Sequence, residues 1–305
     1  MSLSLFFSCS EENIMLYHPE EGNEPSDPPQ KVWLLEYIDY PSLNDLGMIV
    51  RNDISFSYAD EDWTLKLIEE VGNNVIKVDY KAGEVIYSMT RNMGLYTYYD
   101  SLLVRINNDK FAESALHRTY RESAQQENAS KIQMQNDSSH FTYDDMGYLK
   151  RLERYNVSGD QIPTYWEEFT VIGGNIVGIK TSANFRYIYT YDNSEHSIPA
   201  GFCYEMPLNT VSISKGGCWL LTNLTFLSEY LGKRSKNNVI RTVIMQDTQD
   251  GDSVRYGDIT YEYSSDENEQ VASVKMLGVI NSLDIPENYI TVFSYLEKEI
   301  ESVEK

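Results

Sequence analysis

Cysteine is nearly absent from this 305-residue chain; Cys9, Cys203 and Cys218 are the only three, and none pair at C-x-x-C spacing. That excludes a zinc knuckle or a redox dithiol, both of which need thiolates at short fixed separations. Histidine is as sparse. His18, His117, His140 and His196 are scattered, and no Gly-x-Ser-x-Gly elbow supports a catalytic triad. Basic residues number 25 against 47 acidic ones, for a net charge of −22. Such a chain repels nucleic-acid phosphates and anionic headgroups, so no nucleic-acid partner is expected. No run approaches the roughly 20 apolar residues of a spanning helix. With no cofactor or metal-ligand motif either, no catalytic residue, cofactor or metal is expected.

What is abundant is tyrosine, 24 residues against 10 Phe and 4 Trp. Its ring packs on a pleated surface while its hydroxyl stays wet. Period-2 alternation recurs around these residues. Ile54 to Tyr58 leads through Ala59 to Asp62 into Trp63 to Leu67. Phe141 to Tyr143 leads through Asp144 to Gly147 into Tyr148 to Leu152. Tyr187 to Tyr191 runs into Asp192 to Glu195. Ile259 to Tyr263 leads through Ser264 to Glu269 into Val271 to Met276. Each is an alternating strand followed by an acidic polar turn, which is hairpin chemistry. Asn- and Gly-rich turns at Gly72 to Asn74, Gly173 to Asn175 and Lys236 to Asn238 precede further β-branched runs, because both residues reach positive φ cheaply. Asn107 to Lys110 fits as another turn. The segment after it, through Gln125, alternates weakly enough to allow either a strand or a polar helix.

The expected fold is all-β: a long antiparallel meander of hairpins forming a curved sheet or open barrel, with one short helix. That helix is placed from Cys218 to Tyr230, where Leu220, Leu224, Leu227 and Leu231 have helical spacing and Gly232 can end it. A single β domain is expected over residues 31–296, followed by a charged tail over 297–305. Two buried thiols, rather than a disulfide, are expected at Cys203 and Cys218.

The N-terminus says where the chain lives. Leu5-Phe6-Phe7-Ser8-Cys9-Ser10-Glu11-Glu12 resembles the end of a bacterial lipoprotein signal, with lipid attached at Cys9. Residues 1–8 carry no Lys or Arg and are shorter than a working signal, whose apolar stretch is about 7–15 residues. They read as the remnant of a signal that starts upstream. Residues 9–30, rich in Glu, Pro and Ser, cannot bury enough surface to order themselves and read as an acidic tether. Ser10-Glu11-Glu12 resembles the acidic export signal of surface-exposed Bacteroidetes lipoproteins.

Phe141-Thr142-Tyr143-Asp144-Asp145-Met146-Gly147-Tyr148-Leu149, the later Tyr-x-Tyr strands and Leu231-Gly232-Lys233-Arg234-Ser235-Lys236-Asn237 carry a further likeness. Together they resemble a Bacteroidetes lipoprotein family, the domain of unknown function numbered 4595. The resemblance covers most of residues 31–296. It implies a porin-like fold and an outer-membrane address, and brings no catalytic residues.

Two groups of side chains stand out as candidate sites. Tyr187, Tyr189 and Tyr191 share one face, as do Tyr261 and Tyr263. Such ladders can stack sugars or line an apolar cavity, or be cross-strand pairs holding the sheet. Lys233, Arg234 and Lys236 form a basic spot in an acidic chain. They suit an anion contact or the C-terminal carbonyls of the expected helix. The leading expectation is a non-enzymatic, surface-tethered outer-membrane lipoprotein. It would be held to the membrane through Cys9 and bind a small molecule, glycan or protein. A hydrolase with paired carboxylates, acting on glycans or lipids, and a periplasmic acyl-chain carrier are the alternatives.

Overall fold

A computed structural model describes residues 30–43, 49–59, 64–70, 74–124, 130–156, 162–195, 230–248 and 250–300. Seventeen strands follow one another: β1 (Gln30–Leu43), β2 (Ile49–Tyr58), β3 (Leu65–Glu70), β4 (Asn74–Lys81), β5 (Glu84–Met93) and β6 (Tyr96–Ile106). After these come β7 (Ala112–Ser123), β8 (Ile132–Tyr143), β9 (Leu149–Asn156), β10 (Tyr165–Ile172), β11 (Asn175–Thr181) and β12 (Phe185–Glu195). The last five are β13 (Asn237–Asp247), β14 (Ser253–Ser265), β15 (Val271–Ile280), β16 (Leu283–Ile285) and β17 (Ile290–Ile300).

All pairings are antiparallel, each strand from β1 to β15 pairing with the next in sequence, and β1 pairs with β17 from Gln30↔Ile300 to Asp39↔Val292. Short β16 and β17 share the same edge of β15 in succession, so the ring has sixteen positions. The expected all-β meander is therefore present, and its curved sheet goes on to close into a barrel. Closure removes both sheet edges, whose unpaired N–H and C=O groups would otherwise recruit another chain.

Other expectations are corrected in detail. The segment after Asn107 to Lys110 is strand β7, not a polar helix, because Ala112, Ala115 and His117 fill the inner row. Asp192 to Glu195 is not a turn; β12 continues through it, bulged against β13. β17 runs on to Ile300, past residue 296, because its end pairs with the start of β1. No α-helix occurs among the described residues. The helix expected from Cys218 lies outside them except for Tyr230, as do Cys9, Cys203, Cys218 and the tether.

Inside and outside are chemically opposite. Ile68, Ile76, Val104, Val239, Ile244, Ile259 and Val274 face inward with 0 % exposure and belong to one core cluster. The alternating outward positions include Lys66, Lys77, Lys150, Glu168, Lys180 and Arg241, all exposed. Cross-strand ion pairs lace this outer face, such as Arg241 with Asp258 (2.6 Å) and Arg186 with Asp247 (2.8 Å). A round barrel of sixteen strands would enclose a water-filled channel. Here inner side chains such as Ile68 and Val239 have no exposure at all, so these rows line no open channel.

One device closes the rim from which both chain ends leave. Odd strands β1, β7, β11, β13 and β15 each carry a bulge near this rim, at Glu36, Glu113, Val177, Ile240 and Ala272. A bulge bends its strand and leaves backbone groups out of the ladder. The carbonyl just before each bulge accepts a tyrosine hydroxyl from the next strand. Tyr58 donates to Leu35 (2.7 Å), Tyr143 to Ala112 (2.7 Å) and Tyr191 to Ile176. Tyr263 donates to Val239 (2.6 Å) and Tyr295 to Val271 (2.8 Å). The recurring Phe/Tyr-x-Tyr strand ends are thus bulge caps.

The acidic turns repeat as well. In those starting at Asn107, Asp144, Thr248 and Asp266, the first N–H bonds the fifth carbonyl, and the fourth N–H bonds the first carbonyl. The fourth residue takes positive φ: Lys110, Gly147, Gly251 and Glu269. This is a type I turn with a G1 bulge. In three of them the first side chain accepts two backbone N–H groups, as Asp144 does from Met146 and Tyr148. The acidic side chains serve as turn formers there.

Candidate functional site

A cleft of about 500 Å³ opens on the outer wall across β4 to β7, in the half of the barrel away from both chain ends. Strand register explains it. One row runs Lys77↔Ser88↔Ser101↔Arg118↔Asn136, and the row beside it runs Thr90↔Tyr99↔Tyr120↔Gln133. Ser88, Thr90 and Ser101 line the cleft with small hydroxyl side chains, beside Met89 and the Asp100 carboxylate. Val75 and Lys77 stand on one side, Tyr99 and Tyr120 on the other.

The cleft is unusual electrostatically for so acidic a chain. Lys131 holds its ammonium 3.6 Å from the centre of the Tyr99 ring, a cation–π contact. The Tyr99 hydroxyl donates to Glu122 at 2.9 Å. That hydrogen bond to a carboxylate raises the Tyr99 pKa, so the hydroxyl keeps its proton. Lys77 and Arg118 are exposed and form no salt bridge among the described residues. The row ends at Asn136, whose buried Oδ1 lacks a hydrogen-bond partner among the described residues.

On the inner wall a polar layer interrupts the apolar core. Arg91 pairs with Asp100 at 3.0 Å, and Thr119 donates to Asp100 at 2.6 Å. His117 lies 3.5 Å from the Thr119 hydroxyl, and its burial holds its pKa below the ordinary histidine value. Glu167 is fully enclosed; Tyr165 donates to its Oε1 at 2.7 Å, and its Oε2 lacks a partner among the described residues. Burial pushes the Glu167 pKa up. A perturbed acid is a signature of catalysis only where substrate can reach it, and Glu167 has 0 % exposure.

The tyrosines singled out from the sequence do not line a ligand face. Tyr187, Tyr189 and Tyr261 are at most 6 % exposed, and Tyr191 and Tyr263 pack partly buried against the same core. Tyr261 lies 3.1 Å from the Thr242 hydroxyl on the neighbouring strand. Tyr191 and Tyr263 are the bulge caps described above. Alternation places each strand's tyrosines on one face but leaves open which face is inside.

Lys233, Arg234 and Lys236 lie in a strap across the rim of the chain ends. Tyr230 and Leu231 anchor it in the core. Gly232 bridges to Tyr148, the Lys233 N–H bonds the Gly147 carbonyl, and the Lys236 N–H bonds the Gly174 carbonyl. Lys233 and Lys236 are exposed, Arg234 half-buried, and the Lys233 ammonium stands 6.0 Å from the centre of the Tyr148 ring. The strap brings the three together at the rim, far from the cleft.

Sequence reasoning missed the cleft. One signal for it exists: Tyr98 and Tyr99 are adjacent, and neighbours on a strand face opposite sides, so one of them had to point outward.

No protein-family model matches the chain, and no curated protein matches it. Among solved structures it is similar to a porin-like protein from Bacteroides uniformis. That match has a TM-score of 0.56 at 12% identity, over 90% of this chain and 98% of that one. A porin-like protein from Bacteroides vulgatus aligns with a TM-score of 0.37 at 9% identity, over 86% of this chain and 98% of that one. The first likeness agrees with the porin-like fold that the sequence resemblance implies.

Proposed function

We propose that this chain is a lipid-anchored lipoprotein of a bacterial outer membrane, exposed at the cell surface. Its barrel stands outside the bilayer and binds a ligand without chemistry. The carrying observation is the reversed polarity of the wall. A barrel that spans a membrane presents an outward apolar band about 25 Å tall and a polar interior. Here the interior is apolar and packed, and the exterior is charged. Membership of the lipoprotein family numbered 4595 belongs to the same reading. Cys9 supplies the anchor and residues 9–30 the tether. β1 begins at the rim crossed by the Lys233–Arg234–Lys236 strap, so that rim faces the membrane and its basic side chains meet any anion there. The outer-wall cleft then faces away from it.

The competing readings have less support. A hydrolase needs acids that substrate can reach, and Glu167, the inner-wall acid whose pKa burial raises, is enclosed. An acyl carrier needs an open lumen, and the inner rows are buried with no exposure at many positions.

The test is to express the full open reading frame, fractionate the cells and weigh the mature N-terminal peptide. An acylated Cys9 in the membrane fraction, with Cys9→Ala shifting the barrel to the soluble fraction, is the expected result. Soluble protein that retains residues 1–8 with an unmodified Cys9 overturns the anchor. Digestion of the barrel by protease added to whole cells checks surface exposure.

A further inference from the structure

We infer that the cleft on β4 to β7 is a binding site for an anionic saccharide, a sugar chain bearing carboxylate or sulfate groups. This rests on the ligand-binding reading above and names the ligand class.

Its size comes first. At about 500 Å³ the cleft lies within the range of small-ligand sites, roughly 300–1,000 Å³. An oligosaccharide needs three kinds of contact: flat apolar surface for its C–H faces, hydroxyls for its own hydroxyls, and cations for its acid groups.

Register supplies all three within two adjacent rows. Tyr99 and Tyr120 stand directly opposite each other on β6 and β7. Each has a broad ring with a polar tip, suited to a ligand that is apolar on its faces and polar at its edges. Tyr99 is held in place from two sides, by Lys131 over its ring and by Glu122 at its hydroxyl. Such fixing lowers the entropy lost on binding. In the lining, Ser88, Thr90 and Ser101 offer hydroxyls that both donate and accept.

Charge selects the anionic members of the class. Lys77 lines the cleft, Arg118 follows Ser101 in the same row and Lys131 stands over the Tyr99 ring; none of the three forms a salt bridge among the described residues, and Asp100, the carboxylate in the lining, is neutralised by Arg91. Elsewhere on this outer wall cations pair across strands with carboxylates, as Arg241 and Arg186 do. Three cations without a salt bridge among the described residues, in a protein of net charge −22, make a local site of opposite sign. A neutral sugar would leave them unused. A polyanion such as nucleic acid would meet the repulsion of the whole molecule, whereas a short acidic glycan fits beneath that field.

The test uses the full chain on a printed array of neutral, carboxylated and sulfated oligosaccharides, alongside Tyr120→Ala and Lys77→Gln/Lys131→Gln. Thermal melts confirm that each variant is folded. The expected result is retention on carboxylated or sulfated members, weakened at least tenfold by Tyr120→Ala. The lysine double variant loses the preference for acidic over neutral members, and raised salt weakens binding, as it screens exposed charges. A blank array, or retention of neutral members only, overturns the inference. Retention that survives both variants overturns the site while leaving the ligand-binding reading intact. Loss of membrane anchoring in the fractionation experiment fails the lipoprotein reading without touching this one.

Discussion

Glu167 shows how one enclosed side chain sets a dependence on pH. Desolvation favours its neutral form, so in the fold it holds a proton that an unfolded carboxyl releases above about 4.3. Its contribution is fully present below that unfolded value and is lost as pH rises through the raised folded one. His117 has the opposite sense: burial lowers its pKa, so its contribution holds above about 6.5 and is lost as pH falls. Glu167→Gln keeps an acceptor for Tyr165 and removes the buried charge. Urea titrations at pH 5 and pH 8 are expected to show a gain of about 1–3 kcal/mol at pH 8 and little change at pH 5. An unchanged difference between the two pH values would mean that Glu167 does not carry this dependence.

At the scale of elements the recurring unit is a bulge on one strand and a tyrosine on the next. Tyr263→Phe strips the donor from the Val239 carbonyl and is expected to cost about 1 kcal/mol by denaturant unfolding. Tyr120→Phe is the control. Its hydroxyl caps no bulge, and its effect should stay within about 0.5 kcal/mol. The turns admit the opposite experiment. Lys110 holds a φ of 68°, which glycine adopts more cheaply, so Lys110→Gly should stabilise the fold by a few tenths of a kcal/mol up to about 1.

Much of this layer was legible in the sequence. Phe141 to Leu152 and Ile259 to Met276 alternate as strands and break at the acidic turns, where the structure breaks them. What alternation could not reveal is any offset between strands. A bulge such as Ile240 exists only relative to β12, so Tyr191 and Tyr263 read as a shared face rather than as caps. The cleft was hidden for the same reason: Ser88, Ser101 and Tyr120 meet through the register of three strands, and no single strand records it.

The whole molecule is defined by a wall turned inside out relative to one that lives in lipid. Charged outward positions in mid-strand, such as Lys77, Arg118 and Arg241, would meet hydrocarbon if the barrel spanned a bilayer, at about 2–4 kcal/mol each near the midplane. Added to planar lipid bilayers, the purified protein is expected to give no channel conductance; stable conductance steps would overturn both the packed interior and the location of the barrel. Closure itself had no local signature, since the seam joins residues 30–39 to residues 292–300. That seam also orders events at the ribosome. The strand made first has to wait for the strand made last, and until then the nascent ribbon has two raw margins open to strangers. A premature stop codon just before residue 290 would spare fifteen of the sixteen staves and still leave a sheet that can never be hooped.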